Sequence, residues 1–123
     1  IEIDKEKSYI EITWLKQHSS PIYRQELKLV TDMVAQEKIT RALYDARERL
    51  YLEIGDQNWV MQEIIPLFKG DDLRLAYLVN PITLSAMDVY RVQDAITNHA
   101  KLKNCIQVET FLTKAEAQAW LLR

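Results

Sequence analysis

Hydrophobic and polar positions change period several times along this chain, and each change marks an element. From Tyr9 to Leu15, Ile10, Ile12 and Trp14 alternate with Tyr9, Glu11 and Thr13, the period of two of a strand with one face buried. The short stretch Ile1–Asp4 precedes it across the polar Lys5-Glu6-Lys7, so the pair predicts an antiparallel hairpin. After Ser20-Pro21 the apolar residues Tyr23, Leu27, Val30 and Val34 recur at helical spacing, with Met33 beside them. A helix from Pro21 to about Gln36 follows, with Ser20 as its N-cap and proline at its first position.

Ile39–Asp45 reads as a buried strand. Asp56–Lys69 reads as a second helix with Val60, Ile64, Leu67 and Phe68 on one stripe, and Pro66 predicts a kink or an early stop in its last turn. Leu73–Val79 is an almost unbroken apolar run ending at Asn80-Pro81, the pattern of a strand covered on both faces, and is the best candidate for the middle of the sheet. Ser85 with Asp88, and Thr113 with Glu116, have the hydroxyl-then-carboxylate spacing of a capping box. The first starts a helix running to about Ala100 with Val89, Val92 and Ile96 inward; the second starts the last helix, with Ala117, Trp120 and Leu121 inward. Between them Ile106, Val108 and Thr110 alternate with Gln107 and Glu109, as an edge or half-exposed strand does. The order predicts one α/β domain over residues 1–123, with a mixed, largely parallel sheet, an N-terminal antiparallel hairpin and about four helices.

Composition narrows the function classes. At 123 residues, 48% hydrophobic and 28% charged, the chain is long enough and apolar enough for one packed core. A net charge of -2 gives a field that weakly repels phosphate backbones, which argues against nucleic acid as a partner. Cys105 is the single cysteine, so an internal disulfide is impossible, and a reducing, cytoplasmic setting is expected. No apolar run approaches the ~20 residues of a membrane span, so integral membrane association is not expected. No signal-peptide order opens the chain, although it begins at Ile1 rather than Met.

Three segments carry a family resemblance: Leu43-Tyr44-Asp45-Ala46-Arg47 at a strand end, Leu75-Ala76-Tyr77-Leu78-Val79 in the next strand, and the close from Phe111 through Thr113 and Trp120 to Leu121. With the element order, they make nearly the whole chain resemble the SpoIIAA-like, or STAS-like, family, and the close looks like that of many uncharacterised bacterial members. The resemblance implies a small cytoplasmic α/β domain with a mixed sheet and helices mainly on one side. In regulatory members of that family a serine in an aspartate-serine-serine-glycine-like turn is phosphorylated. Here Asp45 is followed by Ala46 and Arg47, and Ser85 is preceded by Thr83-Leu84, so that switch does not carry over. No motif matches the lipid-binding CRAL-TRIO-like branch either.

Ligands of open α/β sheets usually sit outside the carboxyl ends of the strands. That rule makes Asp45, Arg47, Trp59, Asn80 and Ser85 the ligand-cleft candidates. Asp45 and Arg47 are spaced to pair, either as an ion pair ending a strand or as a polar anchor in a cleft. The connection from Arg47 to Gly55 carries Leu50, Tyr51, Leu52 and Ile54, more apolar surface than a solvated loop shows. It is a short extra strand or flap, a self-association surface, or a lid, and these four residues are the interface candidates. Ser85 and Thr113 could accept phosphate at helix starts, but capping explains both. His18, His99 and Cys105 lie apart in a turn, a helix end and a strand start, and no glycine-rich phosphate loop, Gly-Lys-Ser/Thr or His-x-x-x-His pair occurs. Trp14, Trp59 and Trp120 are most simply core. The expectation is a non-enzymatic regulatory or protein-interaction module, without catalytic residues, metal or cofactor, acting on a protein partner or on itself as a homodimer. The alternative is a small-molecule or lipid-binding domain with its cleft at the strand ends.

Overall fold

A computed structural model describes residues 1–16, 19–49, 53–68, 72–81, 94 and 106–123. Among these lies a five-stranded sheet: β1 (Glu2–Asp4), β2 (Tyr9–Thr13), β3 (Arg41–Asp45), β4 (Leu73–Leu78) and β5 (Ile106–Phe111), side by side in sequence order. The β1–β2 pair is antiparallel, with Ile3 opposite Ile10; every later pair is parallel. The hairpin turn is held by the Asp4 carboxylate, which accepts from the backbone N–H groups of Glu6 and Lys7, and by Ser8 at φ 53°. The α/β class and the mixed sheet are as the periodicity predicts. The middle strand, however, is β3 rather than Leu73–Val79. Among the described strands only β3 has two strands on either side, and four of its five residues are buried. Both runs are apolar, so which one is central depends on pairing, which periodicity does not encode.

Three α-helices occur among the described residues: α1 (Ser20–Gln36), α2 (Ile54–Trp59) and α3 (Lys114–Leu122). The helix predicted from Ser85 to Ala100, with its Ser85–Asp88 cap, lies outside them. Helix α1 begins one residue early. Ser19 takes the extended N-cap conformation and Ser20 is already helical, so the predicted Ser20 cap is replaced by a tertiary contact described below. The helix ends in a Schellman arrangement: Lys38, at φ 52°, donates to Ala35 O, and Ile39 N–H donates to Val34 O at 3.0 Å. Lysine there occupies the left-handed position that glycine fills without strain. Thr113 does cap α3, its hydroxyl oxygen accepting from Glu116 N–H at 3.3 Å.

The second helical stretch departs from a regular α-helix. Helix α2 passes into a π turn (Val60–Ile64) and then a 3₁₀ turn (Ile65–Leu67) containing Pro66. Proline has no N–H to continue the α ladder, and the change of pitch rotates the stripe. Ile65 and Phe68 are buried, while Leu67, expected inward, is exposed. Gly55 lies inside α2 rather than before it.

The two faces of the sheet bury different layers. One face, with Ile10, Ile12, Ala42, Tyr44 and Leu73, packs against Tyr23, Leu27, Val30 and Val34 of α1 and against Val60, Ile64, Ile65 and Phe68. The other, with Leu43, Ala76 and Leu78, packs against Ala117 and Leu121 of α3, with Trp120 half-buried against Phe111. No helix among the described residues is long and apolar enough to cross a membrane.

Candidate functional site

The structure builds two polar clusters, one on each face of the sheet. On the α3 face, β2 turns Glu11 toward α3. Its side chain is buried, and Lys114 Nζ lies 2.7 Å from Oε2, with Tyr9 Oη donating to Oε1 at 2.8 Å and Gln118 reaching the same oxygen at 3.5 Å. Burial would raise the Glu11 pKa, but the hydrogen bonds from Lys114 and Tyr9 outweigh it and hold the carboxyl below its usual range. The same contact raises the Lys114 amine. Burial first, and then Glu11, push the Tyr9 hydroxyl up to about 12. Tyr9, Glu11, Lys114 and Gln118 line a groove of 270 Å³ between β1 and α3.

Beside this network, Asp45 and Arg47 do pair. Arg47 Nη2 lies 2.8 Å from Oδ2 and Nε 3.0 Å from Oδ1, and the Arg47 backbone N–H also donates to Oδ1. The hydrogen bonds from its guanidinium to Asp45 raise the Arg47 pKa. Asn80 Nδ2 then donates to Arg47 O at 2.5 Å. Three of the predicted cleft residues therefore form one corner whose polar groups bind each other. Trp59 is not among them. It belongs to the opposite face, where the Arg24 guanidinium lies 5.3 Å from its ring centroid. Arg24 Nε and Ser20 Oγ both reach the buried Asp56 carboxylate at 2.8 Å, and Ser20 Oγ also donates to Glu53 at 3.2 Å. Ser20 and Asp56 thus tie α1 to α2, and Trp59 packs with the cluster on that face. Ser85 lies outside the described residues, as do Leu50, Tyr51, Leu52, His18, His99 and Cys105.

The second cluster, on the α1 face, was missed from sequence. Arg49, only 4% exposed, has its guanidinium 4.4 Å from the Tyr23 ring centroid and 6.0 Å from that of Trp14, and Nη1 donates to Tyr77 Oη at 3.4 Å. The Trp14 and Tyr44 rings meet edge-on at 5.5 Å. Among the described residues, Trp14 Nε1 and Tyr44 Oη are buried side-chain polar atoms without a hydrogen-bond partner. Burial pushes the Tyr23 and Tyr44 hydroxyls above the usual tyrosine range, so both stay neutral. An arginine in a loop reads as solvated in any sequence, and only the aromatic character of alternating strand positions hinted at a partner for it.

No protein-family model, curated protein or solved structure matches the chain. Its function must therefore be argued from the geometry. The carboxylates Glu11, Asp45 and Asp56 each already accept two or more hydrogen bonds from nearby groups. Groups used in this way position elements, and an acid or base held in such bonds is poorly placed to exchange protons with a substrate. Among the described residues no group of three or more histidine, cysteine, aspartate or glutamate side chains is arranged to hold a metal ion.

Proposed function

We propose that this chain is a non-enzymatic interaction module of SpoIIAA-like (STAS-like) architecture, cytoplasmic and bacterial, that works by contact with another protein chain and forms a homodimer. The observation that carries this reading is an apolar pair on the α1–α2 junction. Ile54 is 68% exposed and Ile22 47% exposed, and they lie one and two residues from Glu53 and Ser20, whose side chains hydrogen-bond. Large aliphatic side chains held on an ordered surface gain about 25 cal/mol per Å² when a partner covers them. Ile54 is the described member of the apolar segment 50–54. The strand order and the antiparallel start support the family part of the reading, and the pairing of Glu11 with Lys114 and of Asp45 with Arg47 supports a role in contact rather than catalysis.

Sedimentation equilibrium tests it. The wild-type chain is expected to show a concentration-dependent dimer, and Ile54→Lys together with Ile22→Lys to weaken it by about tenfold or more, since a buried unpaired ammonium costs more than 1.4 kcal/mol. A strict monomer at millimolar concentration would remove the proposal.

A second reading, a small-molecule-binding domain, is favoured by a different observation: the unpartnered Trp14 Nε1 and Tyr44 Oη at the carboxyl ends of β2 and β3. Both lie beside the Arg49 cluster, where a ligand carrying hydrogen-bond acceptors would satisfy them. Native mass spectrometry of freshly purified protein with no retained mass would count against it.

A further inference from the structure

We propose that the amino-terminal edge of the sheet, opposite the strand ends discussed above, binds the phosphate group of a small soluble ligand between Arg41 and Arg74. These residues are register partners on adjacent parallel strands, and Arg74 is in turn paired with Gln107. Neighbouring parallel positions put side chains on the same face about 4.8 Å apart at the backbone, so the two arginines leave the sheet side by side on the α3 face. Like charges in that position repel.

No ion pair with an aspartate or glutamate side chain involves either guanidinium among the described residues. Arg41 Nη1 donates to Lys7 O at 2.9 Å, and Arg74 Nη1 donates to Trp120 O at 3.1 Å and Arg123 O at 3.3 Å. Main-chain oxygens fix the two side chains, neutral carbonyls at Lys7 and Trp120 and the carboxylate of the last residue at Arg123, and each guanidinium keeps further N–H donors in its fork. Between them opens a cavity of 380 Å³, lined also by Thr40, Asp72, Gln107 and Arg123. Pockets for small molecules run from about 300 to 1,000 Å³, so the space fits a phosphate with a small organic group and no more. Three arginine side chains against Asp72 and the carboxylate of the last residue leave the lining positive in a chain whose net charge is -2. A tetrahedral dianion bridging the two forks gains charge-assisted bonds from both and relieves their repulsion.

The test is a titration with inorganic phosphate, followed by amide NMR at an ionic strength held constant with sodium chloride, and then with a soluble phosphomonoester. Saturable shifts are expected at Thr40, Arg41, Arg74 and Gln107, with affinity falling about tenfold or more in Arg41→Gln. Arg41→Lys, which keeps the charge but loses the fork, is the second variant and is expected to fall between the two. Non-saturating shifts, shifts spread over the surface, or unchanged affinity in both variants would overturn the proposal. So would sedimentation of the protein with phosphatidic acid vesicles in the absence of saturable binding of either soluble probe, since the site would then serve a lipid surface.

Discussion

The two faces of this sheet are packed by different means. On the face toward α1, a 17-residue helix contributes five buried side chains, and the partner strands answer with isoleucines, a tryptophan and tyrosines. On the other, a nine-residue helix buries only Ala117 and Leu121 fully. It is tethered at one end by Lys114 to Glu11 and at the other by Arg74, which donates to Trp120 O and Arg123 O while its guanidinium lies 5.6 Å from the Trp120 ring. A long helix distributes its attachment over many apolar contacts. A short one has too little apolar area for that and relies on charge-assisted bonds at its ends.

The largest expected effect separates the faces directly. Leu121→Ala is expected to cost about 2–5 kcal/mol by denaturant unfolding and to speed hydrogen exchange in α3 well before the rest of the sheet. Leu27→Ala on α1 is expected to cost a similar amount with no such local opening. If both variants open globally, the contrast between concentrated and distributed attachment is wrong.

A smaller effect, on the order of 1 kcal/mol at neutral pH, is expected for Glu11→Gln, because the Lys114 partner is 42% exposed and solvent screens the pair. Its pH dependence is more telling. The folded pKa of Glu11 is depressed, so its contribution is present above the unfolded value of about 4.3 and lost as pH falls through the lower folded value. Lys114 is raised, so its share is present below about 10.4 and lost as pH climbs through the folded value. The stability gap between wild type and Glu11→Gln, measured by denaturant unfolding at a series of pH values, should therefore be present at neutral pH and close as pH falls below about 4, and a gap that does not change with pH would show that the tether is not electrostatic.

The smallest effect belongs to the aromatic face. Tyr44→Phe removes a buried hydroxyl that has no partner, so its stability is expected to stay level or rise by up to about 1 kcal/mol. A loss above that size in a thermal melt would mean that the hydroxyl is satisfied in solution and would weaken the small-molecule reading.

The strands, the first helix and the capped last helix were legible because each is written locally: alternation in Tyr9–Thr13, 3.6-residue spacing from Tyr23 to Val34, and a threonine three residues before Glu116. The Asp45–Arg47 pair was legible for the same reason, since two residues of opposite charge two positions apart need no tertiary information to meet. The side on which Trp59 packs was not legible because a helix start can face any neighbour, and the contact that chose its neighbour joins Ser20 and Arg24 to Asp56 across more than thirty residues.

The local periods along this chain therefore determined the kinds of element and most of their limits, because burial of one face repeats at two residues in a strand and near 3.6 in a helix. Tertiary structure alone decided that β3 is central, that Glu11 is buried under Lys114 rather than solvated, that Arg49 lies among aromatic rings, and that Arg41 and Arg74 stand side by side. Each of these depends on which strands pair, in what register, and on which face the last helix returns. Those choices are set by the summed burial of residues far apart in sequence, and no local pattern records them.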